Sequence, residues 1–526
     1  FYTDQVKSLS NTDLGIPRVE VEGYPLPGSQ GGRIRFGAPR GENTPAIFAQ
    51  NTYEFRDTLT WVRGSQAYKF GAEFRREQNN SNSLGGARPL FSFSGLFNLA
   101  NDTPIFEAIA TNPNTGVPTD GQFYQRSNVY AFFVQDDWKF RPNLTLNLGL
   151  RYEYFTPLRE KRGRITNFEL GPNLLRDARV VIQEKLHESD RNNFAPRLGF
   201  AWSPNRLLTF ETANKLVVRG GFGIAYNRTP IAVLNNSRGN PPFFARNNVC
   251  CGTATQDFGE PFAPLNDNPA NPPRILYAVS STGSLFGYPT AAGLRQGVNP
   301  VTNQVIGTNV EVYGTTPQLP NAYVYTYSLE TQAELPFKLT GTLGYQGSAG
   351  RKLIRIVPYQ FVLPSTGPQL PFDPVFIITP DVNTSYNAMN ARLTRRLSQG
   401  LQFDAIYRWA KSIDTLSFEG PGFVTNQTFP QDQSEERGPS DYDVRHYFTF
   451  SSLYEVQYFR NRSGLSRTLL DGWQINSIIS ANSGFPWTPL TRRPEQIQPG
   501  GRRLSPIRPI AYLGGNLTDS SDDAFT

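Results

Sequence analysis

A hairpin with two long, regularly alternating arms occupies residues 129–154 and reads VYAFFVQDDWKF, RPN, LTLNLGLRYEY. Its second arm places leucines and tyrosines at every even position from Leu144 to Tyr154, and polar, charged or glycine residues at the odd positions. Because side chains alternate between the two faces of a strand, one face of this arm is apolar with aromatic residues at one end. A membrane strand needs about 9–11 residues, whereas a typical soluble strand has about 5–6. The length of the arm therefore favours a strand that crosses a membrane over one from a soluble β-sandwich.

Arms of the same kind recur along the chain, and the pattern predicts about twelve strands in six hairpins. Besides the pair above, the arms lie at residues 53–62, 67–76, 194–203, 215–226, 323–335, 338–347, 386–397, 401–410, 446–459 and 472–482. The repetition predicts an all-β fold built from one antiparallel sheet.

The predicted connections alternate strictly between short and long. Short turns such as RGSQ, RPN, PF and SQG follow first arms, and long connections follow second arms. The long ones cover residues 77–127, 156–193, 227–322, 348–385 and 411–445. Short periplasmic turns and long extracellular loops are the rule in outer-membrane barrels. We therefore predict an antiparallel transmembrane β-barrel in the bacterial outer membrane, with segment 227–322 as its most protease-accessible loop and partly folded over the mouth.

The composition fits this prediction and narrows the partners. Charged residues are 18% and aromatic residues 13% of the chain, which suits aromatic girdles at two membrane interfaces. No apolar run reaches the roughly 18 residues of a membrane helix. The net charge is +7, but Lys and Arg form no clustered stripe of the kind that nucleic-acid binding needs. We therefore expect outer-membrane lipid as a partner and no nucleic acid.

The sequence offers no catalytic constellation, so we predict that the chain is not an enzyme and holds no cofactor. His187 and His446 are its two histidines, which leaves little room for a histidine-based triad or a zinc site. The motifs G-x-S-x-G, P-loop and HExxH are absent. The glycines of VRGGFGIAY lie within a strand pattern and predict close packing or strand curvature.

Two further features receive a structural interpretation. Cys250 and Cys251 are adjacent in a long connection, where a strained vicinal disulfide or two exposed thiols are possible. We favour a structural role or none. The segments PLNDNPANP (264–272) and TDSSDDAF (518–525) carry oxygen ligands that Ca²⁺ accepts. Neither follows the EF-hand spacing, so we interpret both as solvated loops and predict no metal site.

The chain divides into three predicted regions. Residues 1–49 are expected to be an extracellular loop region, residues 50–482 carry the barrel strands and their loops, and residues 483–526 are expected to be extracellular loop before further strands. The loop-like ends and the missing export signal predict a piece of a larger barrel. An open sheet is expected, whose first and last strands are not paired with each other.

Several motifs together resemble the Oar-like subfamily of TonB-dependent outer-membrane transporters. They are NVYAFFVQDDWKFRPNLTLNLGLRYEY (128–154), NNFAPRLGFAWSP (192–204), RRLSQGLQFDAIYRWAKSID (395–414), ERGPSDYDVRHYFTFSSLYE (436–455) and LLDGWQINSIISANSGFPWTP (469–489). The resemblance covers nearly all predicted strands in the right order. It implies a 22-stranded barrel, preceded by a carboxypeptidase-regulatory-like domain and a plug, of which this chain holds about twelve strands.

The resemblance also implies a function, which is active uptake of an extracellular ligand. The ligand would bind the extracellular loops and the plug, and TonB would act through an N-terminal region outside this chain. The residues do not choose among siderophores, oligosaccharides and peptides, and they identify no substrate-binding residue. Two alternatives stay open at this point: a passive porin or secretion channel, and a soluble β-rich adhesin.

Overall fold

The computed structural model describes residues 18–21, 34–36, 47–82, 90–93, 99, 106–111, 122–172, 174–207, 210–211, 215–250, 310–358, 372–417, 433–434, 436–458 and 464–487. Twelve strands run consecutively through its main sheet. They are β1 Ile47–Arg63, β2 Gln66–Asn82, β3 Gln122–Arg141, β4 Leu144–Phe155, β5 Phe194–Trp202, β6 Leu216–Asn227, β7 Ala322–Leu335, β8 Leu339–Pro358, β9 Phe372–Ser398, β10 Leu401–Asp414, β11 His446–Glu455 and β12 Gln474–Asn482.

Each strand pairs antiparallel with the next in sequence, so the spatial order is simply β1 to β12. Both the six predicted hairpins and the antiparallel fold are confirmed. β1 and β12 form the two edges of the sheet and are not paired with each other, as expected for an open sheet. Three short strands join its margins: Arg159–Glu160 pairs with β3, Val310–Thr315 runs parallel to β9, and Gly438–Pro439 pairs with β10.

The smaller elements belong to the connections. A five-stranded sheet contains, in spatial order, Ala245–Cys250, Phe106–Thr111, Leu90–Phe93, Arg18–Val21 and Ile34–Phe36. Two-stranded pairs join Ile165–Gly171 to Leu174–Gln183 and Arg206–Leu207 to Phe210–Glu211. Short helical turns occupy Ile231–Leu234, Asn235–Gly239, Pro336–Lys338 and Leu465–Leu470. In the part of the chain that the structure describes, no helix has the length and apolar character to cross a membrane.

The register of the main sheet gives it one apolar face and one polar face. Leu148 lies opposite Leu198, and Leu198 lies opposite Phe222, so that apolar side chains continue from strand to strand. From Leu144 to Tyr154 the strand rises about 33 Å, or about 25 Å across a membrane at a strand tilt of about 40°. This matches the apolar band of an outer-membrane barrel and confirms the predicted two-faced strands.

Two carboxylates interrupt the apolar face. Asp57 lies between Phe55 and Leu59 on the edge strand β1. Asp136 lies opposite Leu148, where one of its carboxylate oxygens accepts a hydrogen bond from Gln66 at 3.1 Å. The apolar face is therefore less uniform than the leucine pattern of β4 predicts.

The strands extend further than the sequence pattern predicts. Segment 348–385, expected to be a long loop, contains the continuing arms of β8 and β9, which leave residues 359–371 as their connection. The arms continue to pair beyond Gly350 across irregularities of register. Residues 1–49, expected to be loop, contain the short strands Arg18–Val21 and Ile34–Phe36.

At one end of the sheet, tight turns join the strands. β1 and β2 are joined through Gly64, whose φ is +58°. β9 and β10 are joined by Gln399 and Gly400, which both have positive φ, as a two-residue hairpin of type I′ requires. The longer connections therefore begin and end at the other end of the sheet, which we call the long-connection end.

Candidate ligand-binding region at the long-connection end

An apolar core has formed at the long-connection end, and we call it the loop-end core. It consists of buried side chains from several connections and from three strands: Phe123, Leu158, Ile165, Leu186, Val233, Leu234, Phe244, Leu319, Ile354, Ile356, Phe376 and Ile378. Each such side chain contributes about 1.5–3 kcal/mol when fully buried. The described parts of the long connections are therefore packed against one another.

The loop-end core is continuous with the polar face of the sheet. Phe123 lies opposite Ser81, in the row that also holds Asn79 and Gln125. The extended hairpin β8–β9 supplies Ile356 and Ile378, which are opposite each other and both buried. The described parts of the connections therefore fold over the polar, interior side of the wall. In segment 227–322 the described residues Val233, Leu234, Phe244 and Leu319 are buried. Residues 251–309 lie outside the described part of the chain, so the high protease accessibility expected of this segment stays a prediction.

A polar cluster lies directly below this core on β2 and β3. Glu77 is buried and forms an ion pair with Arg228 from the β6–β7 connection, and Ser127 donates to the Glu77 carboxylate at 3.3 Å. Asn79 donates to Gln125 at 2.7 Å. Among the described residues, the Oδ1 atom of Asn79 and the Oγ atom of Ser81 are buried without a hydrogen-bond partner. These two atoms can bind a water molecule or a polar ligand group on the interior side.

A small cavity of about 30 Å³ lies beside the cluster. Its wall combines apolar residues, among them Phe155 and Leu158, with the polar residues His187, Arg228 and Asn321. A cavity holds a water molecule from about 10–15 Å³ upward, so this one accommodates one or two waters and not a whole ligand.

Buried hydrogen bonds fix the connections relative to each other. Asn167, which is 2% exposed, accepts from the Thr315 backbone N–H at 2.8 Å and donates to the Leu186 carbonyl at 3.3 Å. Arg355 on β8 is buried and holds Asp381 on β9 through two hydrogen bonds of 2.7 Å. Bidentate pairs of this kind add geometric specificity as well as energy.

The ERGPSDYDVRH motif completes the upper edge of β10. β10 runs past the start of β11, so its last backbone groups have no β11 partner. Asp443 accepts from the Ser412 backbone N–H at 2.7 Å, and the Ser440 backbone N–H donates to the Ser412 carbonyl at 3.1 Å. Ser440 and Asp443 are buried. The motif therefore has a structural role in the described region, where it satisfies an otherwise open strand.

Two basic groups in this region have lowered pKa values. Burial lowers the pKa of His187, although the nearby Glu188 carbonyl, 2.8 Å from Nδ1, opposes the change. Burial lowers the pKa of Arg238 to about 10, so its guanidinium stays charged at neutral pH. In the folded protein His187 therefore takes up a proton at a lower pH than an ordinary histidine does.

The residues singled out from the sequence are not brought together. His187 lies in the loop-end region, whereas His446 begins β11 with its Nδ1 2.8 Å from the Tyr407 hydroxyl. Within the described residues no cluster of His, Cys, Asp and Glu could hold a metal ion. Cys250 ends a strand of the five-stranded sheet. Cys251 and the segments 264–272 and 518–525 lie outside the described residues.

The Glu77–Arg228 pair and the Asn167 bridge were not found from the sequence. Their partners are 151 and 148 residues apart, and no local pattern connects them. The sequence offered one hint, the polar residues EQNNSN at the end of β2, which continue past the alternating arm.

Comparison with solved structures finds outer-membrane proteins at low identity. The outer membrane transporter YddB from Escherichia coli is 11% identical, with a TM-score of 0.44, over 85% of this chain and 44% of that chain. The copper transporter OprC is 10% identical, with a TM-score of 0.39, over 78% and 43%. The ferric enterobactin receptor of Pseudomonas aeruginosa is 11% identical, with a TM-score of 0.35, over 81% and 42%. This chain thus spans less than half the length of these proteins.

A search of curated proteins finds no match by sequence. The sequence profile described as "Outer membrane beta barrel domain" matches residues 3–522, nearly the whole chain. Together with the two-faced antiparallel sheet, this match shows that the chain belongs to the outer membrane β-barrel domain family and resides in the bacterial outer membrane.

Proposed function

We propose that this chain is the barrel portion of a TonB-dependent receptor that takes up a ligand across the outer membrane. The observation that carries the proposal is the ordered set of Oar-like motifs, which extends over nearly all strands of the sheet. These include the motifs at 395–414, 436–455 and 469–489. The family match supports the membrane location of this barrel.

The loop-end core supports a receptor function for the long-connection end. A pore that only sieves solutes needs no packed platform above its interior. Here Asn167 joins the connections that carry Leu186 and Thr315, and the Arg355–Asp381 pair fixes the two arms of the extended hairpin β8–β9. Binding sites are commonly carried by loops on a rigid scaffold, and pre-organised loops lose less entropy when a ligand binds. The exposed surface of these connections is the proposed ligand-binding surface, and TonB is the proposed energy-coupling partner.

The test uses cells that produce the whole protein, with and without functional TonB. Labelled ferric siderophores, oligosaccharides and peptides are supplied separately, and accumulation is measured. We expect one class to accumulate and its accumulation to stop when TonB is removed or the proton gradient is dissipated. Accumulation that is indifferent to TonB would contradict the proposal and would favour the passive channel. Membership of an outer-membrane family argues against a soluble adhesin.

A further inference from the structure

Four arginines lie on the apolar-face side of the sheet, just beyond an aromatic row near the long-connection end. We call them the basic rim: Arg76, Arg126, Arg159 and Arg162. The aromatic row consists of Phe74, Tyr130 and Tyr154, which are opposite one another with ring centroids 5.2 and 6.2 Å apart. Arg76 is the next outward residue on β2, about 7 Å further along the strand. The rim therefore begins where the apolar band ends.

The other members continue from this position. Arg126 is the diagonal neighbour of Arg76, because its partner on β2 is Gln78. Arg126 and Arg159 are themselves cross-strand partners. The guanidinium of Arg162 lies 4.3 Å from the ring centroid of Tyr124, which is the next outward residue beyond Arg126.

Among the residues that the structure describes, the rim carries more positive charge than its acidic neighbours neutralise. Glu184 forms an ion pair with Arg159. Glu77 and Glu160 lie in the rows of the polar face, because their cross-strand partners are Ser127 and Gln125. Glu77 also forms its ion pair with Arg228 and not with the rim. Like charges directly opposite each other destabilise a sheet. An anion bound at the rim would relieve the repulsion between neighbouring guanidinium groups.

Arginine is suited to one kind of anion in particular. Its planar fork matches the oxygens of a phosphate group. In the orientation usual for outer-membrane barrels, the long-connection end is extracellular. The rim then lies at the headgroup level of the outer leaflet, which in bacterial outer membranes consists of a phosphorylated glycolipid.

We propose that the basic rim binds the phosphate groups of this outer-leaflet glycolipid. The site lies on the lipid side of the wall and is separate from the interior and from the proposed ligand-binding surface. It would anchor β2, β3 and the Arg159–Glu160 strand to the membrane, whichever ligand the receptor takes up.

The test compares the whole purified protein in detergent with two double variants. Arg76→Gln with Arg162→Gln removes two rim charges. Arg197→Gln with Arg219→Gln removes two exposed charges from the polar face, where Arg219 lies 3.6 Å from Glu330. Each protein is titrated with bisphosphorylated lipid A, dephosphorylated lipid A and phosphatidylglycerol. We expect the rim variant to bind bisphosphorylated lipid A at least about tenfold more weakly than the native protein, and the interior variant to bind it normally.

Two further measurements distinguish the loss of a binding site from a folding defect. Arg76→Lys with Arg162→Lys keeps the charges and should retain most of the binding. Binding to the native protein should weaken as salt rises, because exposed charges are screened. Equal binding by the rim variant and the native protein would overturn the proposal, as would equal binding of phosphorylated and dephosphorylated lipid A. Preference for phosphatidylglycerol would also overturn it, since the site would then belong to a phospholipid.

Discussion

Single residues on the apolar face are governed by their cross-strand neighbours as well as by the membrane. Leu148 faces outward as predicted, but Asp136 lies opposite it. An arginine at position 148 would gain a carboxylate partner. Leu198, by contrast, lies between Leu148 and Phe222 and is 52% exposed. The register therefore identifies Leu198 as the outward leucine at which the free-energy cost of a charged side chain is best measured.

We predict that Leu198→Arg destabilises the protein by about 2–4 kcal/mol in a bilayer, the cost of an arginine near the midplane. Leu148→Arg should cost less, because the new guanidinium can pair with Asp136. Asn147→Arg should cost little, since Asn147 is on the polar face and already donates to Asp137 at 2.7 Å. Reversible unfolding from lipid vesicles measures all three. An equal cost at positions 147 and 198 would contradict the two-faced assignment.

His187 should make the loop-end core sensitive to acid. Its pKa is lowered in the folded protein from the ordinary value of 6.5, so the unfolded chain takes up a proton at a higher pH than the folded chain does. Stability should therefore be retained above about pH 6.5 and decline as the pH falls toward the folded pKa. Hydrogen exchange of the 184–193 segment at pH 7.5 and pH 5.5 measures this effect.

The histidine variants separate this effect from general acid destabilisation. His187→Gln should lose most of the difference between the two pH values. His446→Gln, which changes the other histidine, should keep it. If both variants respond to acid as the native protein does, His187 is not responsible.

At the level of strands, glycine and aromatic residues pack as pairs. A Cβ atom on Gly71 would lie 2.1 Å from Cε1 of Phe133, and one on Gly220 would lie 2.5 Å from Cε1 of Phe200. The second pair confirms close packing for Gly220, one of the three glycines of VRGGFGIAY. In both pairs the ring covers the neighbouring backbone, and the glycine is required because no side chain fits beneath the ring.

We predict that Gly71→Ala destabilises the protein by about 1–3 kcal/mol through overpacking. Gly438→Ala is the matched control, because nothing lies within 4 Å of a Cβ atom there. Adding Phe133→Leu to Gly71→Ala should recover part of the loss by freeing the space. Thermal unfolding in detergent measures the stability of each of the three variants relative to the native protein. A Gly71→Ala protein as stable as the native one would contradict the close packing.

The edge of β10 offers a second prediction at this scale. Asp443→Ala should increase hydrogen exchange at Ser412, because the backbone N–H loses the acceptor that lies 2.7 Å away. The loss should amount to about 1–3 kcal/mol of local stability, as for a buried donor left unsatisfied. Asp441→Ala, in the same motif but exposed, should leave this exchange unchanged. The role assigned to the motif fails if both variants exchange alike.

The strands could be predicted from the sequence because their alternation is local. The extension of β8 and β9 could not, since the small residues of GSAG interrupt the pattern and the register then shifts between Gly350 and Arg355. The loop-end core could not be predicted either, because Phe123, Val233 and Ile378 are brought together only by tertiary packing. The candidate site therefore depends on contacts with long sequence separation, and the sequence predicted only which end of the sheet would carry it.

At the scale of the whole molecule, the chain is an open antiparallel wall with lipid on one side. Its polar face continues into the loop-end core, and its apolar face ends in the basic rim. Among the described residues, β1 and β12 form the two edges of this sheet. In the proposed receptor, the interior and the connections would serve the ligand and the outer face would serve the membrane.

The most direct test of this division maps lipid contact along β4. Single cysteines are placed at each position from 144 to 154 in a protein in which Cys250 and Cys251 are replaced by serine. Each cysteine carries a fluorophore, and quenching by brominated lipid is measured in vesicles. We predict strong quenching at Leu144, Leu146, Leu148, Leu150, Tyr152 and Tyr154 and weak quenching at the positions between them. Quenching without a two-residue period, or its absence at every position, would contradict a membrane wall.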